Sequence, residues 1–306
     1  MHFRFSSMLC LAISSLLLSH ASRAADEQEQ QPERPSLLEK RVKQELKTSE
    51  QPFVITPHKV NYLLPFTYNS SVNEAPFQEE MERDGYELDN MEAKFQISFK
   101  FPLAYNIFGD NGHLYFAYTN QSWWQVYNKD ISSPFRETNH EPEMFMLFNN
   151  DWEIGGFTNS FWGFGAVHQS NGRSGLLSRS WNRIYGQMIF DNGPWAVQFK
   201  AWWRIPESEK DDINDARGDD NPDINRYMGN FEVTTLYGLD KHRFSLMLRN
   251  NLRSDNKGAV QFTWSYPLVG NLRLYTQYFN GYGESLIDYN VHLQRIGIGV
   301  SLNDLL

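Results

Sequence analysis

The polar segment Val167–Arg183 carries residue types that can perform nucleophilic catalysis. His168 and Ser170 are two positions apart, so in a β-strand both side chains point to one side, with Cβ atoms about 6–7 Å apart. An imidazole can take the proton of a serine hydroxyl across this gap when a third group orients its other ring nitrogen. Asn182, on the predicted neighbouring strand, can be that group without adding a charge. The segment is therefore a candidate Ser/His/Asn site.

A histidine and a serine at this spacing are common by chance, so a cluster of hydrogen bonds at the rim of a sheet is the alternative to catalysis. The phase of the two predicted strands bears on this choice. The apolar residues of both strands share the phase of the three polar ones: Trp162, Phe164 and Ala166 on the first strand, and Ile184, Met188 and Phe190 on the second. We therefore expect His168, Ser170 and Asn182 to point outward with the apolar side chains. That orientation favours catalysis.

Apolar and polar residues alternate with a period of two along most of the chain, which predicts β-strands. Four segments show the pattern most clearly and eight more show it less regularly: 94–103, 195–204, 260–266 and 296–302, and segments that begin near residues 59, 113, 143, 161, 178, 227, 243 and 272. The count is twelve strands. No apolar run after residue 53 exceeds about five residues, which excludes a helical membrane protein.

Strands of about ten residues can cross an outer membrane at the tilt of a barrel. Aromatic residues crowd the strand ends, as at Trp123-Trp124 and Trp202-Trp203. The later connections alternate between short and long: short at 191–194, 238–241 and 267–271, long at 206–223, 250–257 and 280–289. We predict an all-β fold, a twelve-stranded antiparallel transmembrane β-barrel over residues 53–306, with short turns in the periplasm and long loops outside. A soluble β-sandwich is the alternative.

The beginning of the chain has the features of a secretory signal peptide. Arg4 is followed by the apolar run Met8–Leu18 and by the small-residue site Ser22-Arg23-Ala24, so we predict cleavage after residue 24. The apolar run is too short to span a membrane as a helix, and Cys10 lies inside it, where a lipoprotein anchor is not expected. Residues 25–52 form a polar segment that we interpret as a periplasmic arm. The formal net charge of −9 makes nucleic acid an improbable partner.

Five motifs resemble those of the outer membrane phospholipase A family. They are HQSNGRS at 168–174, SRSWNR at 178–183, SSPFRETNHEP at 132–142, DDNPDI at 219–224 and RLYTQYFNGYGESLIDYN at 273–290. The motifs are long and extend over nearly the whole mature chain, which makes the resemblance specific. It implies a phospholipase in a bacterial outer membrane, with its site toward the outer leaflet and with phospholipids and lysophospholipids as substrates.

The resemblance also implies roles for individual residues. Ser170 would be the nucleophile, His168 the general base and Asn182 the orienting amide, in agreement with the roles that strand phase suggests. The backbone N–H of Gly172 would help to hold the oxyanion.

A calcium ion is the cofactor that the resemblance implies, held by the carbonyl oxygen of Arg173, the hydroxyl of Ser178 and, from the second barrel of a homodimer, the hydroxyl of Ser132. All three are oxygen donors, as calcium prefers, and none is charged. Two positions depart from the family pattern. Gly175 replaces an acidic residue, and Asn120 replaces a glutamine at the contact between barrels. The chain ends in Leu306 where outer-membrane barrels usually end in Phe.

Two other functions are compatible with a barrel of this kind. A passive pore or adhesin would have no use for outward His168, Ser170 and Asn182. An enzyme that acylates or deacylates lipopolysaccharide would keep the serine mechanism and differ in substrate.

Overall fold

The computed structural model describes residues 36–38, 40–42, 56–80, 87–212, 215 and 217–304. The predicted signal peptide, residues 1–24, and most of the predicted arm, residues 25–52, lie outside this part, as does Leu306. None of the helices in the described ranges has both the length and the apolar character needed to cross a membrane.

Fourteen strands form one sheet within the described residues. They are β1 (Thr56–Pro57), β2 (Tyr62–Asn69), β3 (Met91–Ala104), β4 (His113–Trp124), β5 (Phe135–Asn149), β6 (Glu153–Ile154), β7 (Phe157–Ser170), β8 (Ser180–Asn192), β9 (Trp195–Arg204), β10 (Phe231–Leu239), β11 (His242–Asn250), β12 (Gly258–Val269), β13 (Leu272–Gly281) and β14 (Leu293–Ser301). All except the two-residue β1 and β6 belong to a closed barrel of twelve strands. Each barrel strand pairs antiparallel with the next one along the chain, and β14 pairs with β2 to close the ring. The predicted fold class is confirmed.

The alternation seen in the sequence separates the two faces of the wall. On β7, Trp162 and Phe164 are exposed on the outer face, while Val167 is buried inside. Gly163 and Gly165 also point inward. A Cβ at Gly165 would lie 2.8 Å from the ring of Tyr185, so only glycine lets that ring pack against β7.

One strand, β5, begins at Phe135, earlier than the predicted start near residue 143. Its first inward residues are polar and buried: Arg136, Glu137, Asn139 and Glu141. The residues between them are also mostly polar, so the apolar and polar alternation that marks the other strands is absent there.

The inside of the barrel contains a buried ionic network near β5. Its members are Glu92, Lys94, Arg136, Glu284, Asp288 and Arg295. Arg136 lies 2.7 Å from Asp288 and 3.0 Å from Glu92. Glu284 lies 2.8 Å from Lys94 and 2.7 Å from Arg295. Buried charges are stable only when they are paired in this way. The network ties the connection between β13 and β14 into the barrel.

The connections define two ends of the barrel. At one end, β8–β9, β10–β11 and β12–β13 join by turns of two residues, at 193–194, 240–241 and 270–271. We call this the short-turn end. At the other, the long-loop end, the connections carry helix α1 (Ala75–Glu80), the 3-10 turn Gly175–Leu177 and helix α2 (Ile224–Met228). The predicted alternation of short and long connections is therefore present.

The described part of the arm contacts the short-turn end. The backbone N–H of Leu37 donates to the carbonyl of Gly193 at 3.2 Å. Arg41 donates to the carbonyls of Pro57, at 3.4 Å, and Asp304, at 3.3 Å. This part of the arm packs against the barrel.

Candidate active site

The sequence-predicted site residues meet at the long-loop end of β7 and β8. In the antiparallel register His168 lies opposite Asn182, and Ser170 lies opposite Ser180. On its other side β7 pairs with β5, which places His140 opposite Ser170. The His168 side chain is exposed and in phase with the apolar residues of the outer face. The structure therefore brings the histidine, the serine and the asparagine together on the outer wall of the barrel.

A hydrogen bond joins His168 to Asn182, with 2.9 Å between Nδ1 and Oδ1. An amide oxygen only accepts, so Nδ1 must carry the proton and the lone pair of the neutral imidazole is on Nε2. The amide nitrogen of Asn182 donates in turn to Oε1 of Glu207 at 3.1 Å. No local sequence motif points to Glu207. The arrangement leaves His168 able to accept a proton through Nε2.

Ser170 is the last residue of β7 and is half-buried. Within the described ranges no hydrogen bond connects its hydroxyl to His168. Catalytic hydrogen bonds of this kind often tighten only when substrate binds. The side chains share one face of the strand two residues apart, a spacing that an imidazole can bridge to a hydroxyl.

The turn after Ser170 is held by Asn171, another residue that the sequence analysis did not select. Its buried amide nitrogen donates to the carbonyl of Leu177 at 2.7 Å. Its oxygen accepts from the backbone N–H groups of Arg173, at 3.3 Å, and Arg179, at 3.0 Å. An asparagine that bonds neighbouring backbone is a common device of tight turns. Asn171 thus fixes the loop that follows the serine.

Gly172 adopts φ of +66°, in the left-handed region that favours glycine. A Cβ added there would lie 3.8 Å from the His140 ring. Among the described residues its N–H has no acceptor, so this donor remains available to an oxyanion.

Arg173 and Ser178 lie in the same loop as Gly172, while Ser132 is an exposed residue of the connection between β4 and β5. The Arg173 side chain donates to the carbonyl of Arg136 at 2.8 Å, which anchors the loop to β5. No described residue donates to the Arg173 carbonyl or bonds the Ser178 hydroxyl. In the part of the chain that the structure describes, no three His, Cys, Asp or Glu side chains converge on a possible metal position. The Arg173 carbonyl and the Ser178 hydroxyl, the candidate ligands of a cation at this loop, are both neutral oxygens.

His140 places a second imidazole beside the candidate site. Its Nδ1 lies 2.7 Å from the hydroxyl of Tyr118 and 3.3 Å from the amide nitrogen of Asn120. His140 could not be selected from a local pattern, because its proximity to Ser170 comes from the pairing of β5 with β7. Asn120 thus contacts the imidazole that lies beside the candidate site.

The chain resembles known proteins over most of its length. The sequence profile of the family described as phospholipase A1 matches residues 38–302. The phospholipase A1 of Proteus vulgaris is 41% identical over 260 residues, which cover 85% of each chain.

Two solved structures share both sequence and fold with this chain. One is an active-site mutant of the outer membrane phospholipase A of Escherichia coli, 40% identical, with a TM-score of 0.76 and coverage of 84% of this chain and 95% of that one. The other is the outer membrane phospholipase dimer of Salmonella typhi with bound calcium, 41% identical, with a TM-score of 0.74 and the same coverage. The closed barrel and these relatives place the chain in a bacterial outer membrane. It belongs to the phospholipase A1 family.

Proposed function

We propose that the chain is a calcium-dependent phospholipase that hydrolyses the acyl esters of phospholipids and lysophospholipids in the outer leaflet and is active as a homodimer. Its site is formed by Ser170, His168 and Asn182, with the N–H of Gly172 as oxyanion donor. The observation that carries the proposal is the hydrogen bond between His168 and Asn182 on the outer wall. That wall is where acyl esters in a membrane can reach a barrel.

The reaction has two halves. The Nε2 atom of His168 takes the hydroxyl proton of Ser170 while Oγ bonds to the ester carbonyl carbon, and the N–H of Gly172 stabilises the oxyanion. When the ester C–O bond breaks, His168 gives its proton to the leaving alcohol oxygen, and the acyl group remains on Ser170. Water then attacks the acyl-serine with His168 as base, which releases the fatty acid and restores the hydroxyl.

The apolar surroundings of the site suit a lipid substrate. Phe164 and Ile184, on the same outer face, are each 49% exposed. Acyl chains can lie against these side chains while the ester reaches Ser170 at the long-loop end. If the long loops face outside, as barrels of this kind orient them, the substrate comes from the outer leaflet.

The donor set of the loop fits calcium. The Arg173 carbonyl and the Ser178 hydroxyl are oxygens of one short loop without described hydrogen-bond partners, and calcium accepts neutral oxygens. They provide too few ligands alone, and Ser132 from a second copy would add another. The bound ion would supply positive charge near the developing oxyanion. The Salmonella typhi relative, a dimer with bound calcium, supports this assignment.

A passive pore is less consistent with the interior. Lys94 and Arg136 are buried in the ionic network inside the barrel, and the connection between β13 and β14 packs beside them.

Release of fatty acid by the purified protein tests the proposal. We expect release from phospholipid vesicles in calcium, loss of activity with a chelator, and recovery when calcium is restored. Purified lipopolysaccharide serves as the second substrate. Hydrolysis of lipopolysaccharide alone, or of neither substrate, would contradict the proposal.

A further inference from the structure

The amide of Asn182 has two partners, and they differ in chemistry. His168 Nδ1 lies 2.9 Å from Oδ1, and Oε1 of Glu207 lies 3.1 Å from Nδ2. The imidazole nitrogen can donate or accept, depending on the tautomer. An ionised carboxylate can only accept. Glu207 therefore determines which end of the amide faces which partner.

This orientation decides the state of His168. If the amide rotated by half a turn, its NH₂ group would face the imidazole, and Nδ1 would have to carry the lone pair. The proton would then be on Nε2, the nitrogen that must accept the proton of Ser170. With Glu207 in place, the rotated amide would direct its oxygen at a carboxylate, which is repulsive. Glu207 thus selects the orientation in which Nε2 can act as base.

The fold holds Glu207 at this position. The backbone N–H of Ile205 donates to the carbonyl of Asn182 at 2.8 Å, which extends the pairing of β9 with β8 past the end of β9. Glu207 is two residues further on and keeps the phase of Ile205, so it lies diagonally across from Asn182. Two ion pairs hold the loop that carries Glu207. Arg204, before Glu207, pairs with Asp219, and Lys210, after it, pairs with Asp220. The glutamate is half-buried.

We propose that Glu207 is a positioning residue that acts through Asn182, so that the site is a relay of Ser170, His168, Asn182 and Glu207. The inference rests on the proposed function. It adds a carboxylate to a site whose other three members are a hydroxyl, an imidazole and an amide. The bond from the Asn182 amide to the carboxylate is charge-assisted and stronger than one between neutral groups.

The first test replaces the carboxylate by an amide of the same shape. Glu207→Gln can donate as well as accept, so it no longer excludes the rotated Asn182. We expect kcat to fall about three- to tenfold, the range that corresponds to the net free energy of one hydrogen bond. KM should stay within about twofold of the wild-type value. Glu209→Gln, an exposed glutamate in the same loop, is the matched control and should behave as wild type.

The second test separates positioning from a structural role. In Asn182→Asp the side chain has two equivalent acceptor oxygens and needs no orienting, and it repels Glu207. Adding Glu207→Gln should then leave kcat unchanged or raise it. In Asn182→Ala, where no amide is present, the same change should have no effect. Migration of unboiled samples on a denaturing gel reports whether each variant is folded.

The outcomes are distinct. A loss of kcat with Glu207→Gln that disappears or reverses in both Asn182 backgrounds supports the relay. No loss in the wild-type background, or an equal loss in all backgrounds, overturns it. If Ser170→Ala retained full activity, the proposed function itself would fail, and the relay with it. If Ser170→Ala and Asn182→Ala both lose activity while Glu207→Gln does not, only the relay fails.

Discussion

At the scale of single residues, the proposed site has a neutral amide, not a carboxylate, in contact with His168. His168 and Asn182 lie on the outer wall beside exposed apolar residues such as Ile184. An ionised side chain loses hydration beside hydrocarbon, whereas an amide oxygen still accepts the proton on Nδ1 at 2.9 Å. The amide orients the imidazole but stabilises an imidazolium less than a carboxylate does. Its share in catalysis should therefore be smaller than that of the nucleophile or the base.

Replacement of the three residues should reduce turnover unequally. Because nucleophile and base act as a unit, we expect Ser170→Ala and His168→Ala each to lower kcat by about a thousandfold or more. Asn182→Ala should keep measurable activity, with kcat lower by roughly ten- to a hundredfold. Initial rates of fatty acid release measure these effects. Ser254→Ala, at an exposed serine in the connection between β11 and β12, is the control and should stay close to wild type. Wild-type hydrolysis by Ser170→Ala would show that the nucleophile is another residue.

Residue types and phase were enough to predict that His168, Ser170 and Asn182 lie together on the outer face, because a period of two fixes the face on which each side chain lies. Their catalytic roles stay a prediction. Glu207 and His140 could not be selected in this way. Each reaches the site through the register between strands, and register is not visible in a local pattern. A partial signal existed for Glu207, since Trp203, Ile205 and Glu207 share one phase at the end of β9.

At the scale of elements, most barrel strands show the alternation of apolar and polar residues, and the start of β5 does not. Most strands could be located from the sequence because their outer residues are apolar and their inner residues polar. The first residues of β5 instead contact the ionic network and the connection between β13 and β14. Asn139, for example, accepts from the N–H of Leu286 at 2.9 Å. Contacts that bridge 147 positions of sequence leave no local pattern.

The ionic network should make the barrel sensitive to acid and to loss of one carboxylate. Burial alone would raise the pKa of Glu284, but Arg295 and Lys94 beside it lower that pKa to about 2. A carboxyl group with a lowered pKa stabilises the folded state at pH values above its ordinary pKa of 4.5. This contribution to the free energy of unfolding is lost as the pH falls toward 2. Glu284→Gln removes the charge at every pH and leaves Lys94 and Arg295 underpaired. We expect it to destabilise the barrel at neutral pH by about 3–5 kcal/mol.

Urea unfolding in lipid vesicles at several pH values measures this effect. The wild type should lose stability between pH 4.5 and 2. Glu284→Gln should lose less stability over the same range, because it has no carboxyl group to protonate at this position. Glu153→Gln, at an exposed glutamate of β6, is the control and should leave stability nearly unchanged. Equal stability of Glu284→Gln and wild type at neutral pH would show that the network contributes little to folding.

At the scale of the whole molecule, the proposed catalytic groups belong to one barrel while the proposed calcium ligands are divided between two. A closed barrel with a buried ionic network inside it is a stiff support, so association between barrels, rather than a change of shape within one, is the natural means of completing the site. The apolar outer wall around Ser170 can face either lipid or a second copy. Activity would then depend on how often two barrels meet in the membrane.

Calcium binding and dimer formation should therefore be linked, each strengthening the other by the same factor. One barrel offers the neutral oxygens of Arg173 and Ser178 to an ion that prefers six to eight ligands, and Ser132 of a second copy adds one more. Gly175 has φ of +63°, a conformation that Asp and Asn adopt more readily than other side chains. Gly175→Asp should raise the calcium affinity of the monomer and weaken the dependence of binding on dimerisation.

The comparison needs three further variants, because a change at the loop could act through shape as well as charge. Gly175→Asn has the same shape without the charge and should leave monomer affinity close to that of wild type. Ser132→Ala should raise the calcium concentration needed for activity, whereas Ser133→Ala, whose hydroxyl donates to the Asn128 carbonyl at 3.0 Å, should not. Titration of activity and of crosslinked dimer with calcium measures both halves of the linkage. Superimposable curves for Gly175→Asp, Ser132→Ala and wild type would contradict a calcium site shared between two barrels, since the charge and the trans ligand would then be without effect on the ion.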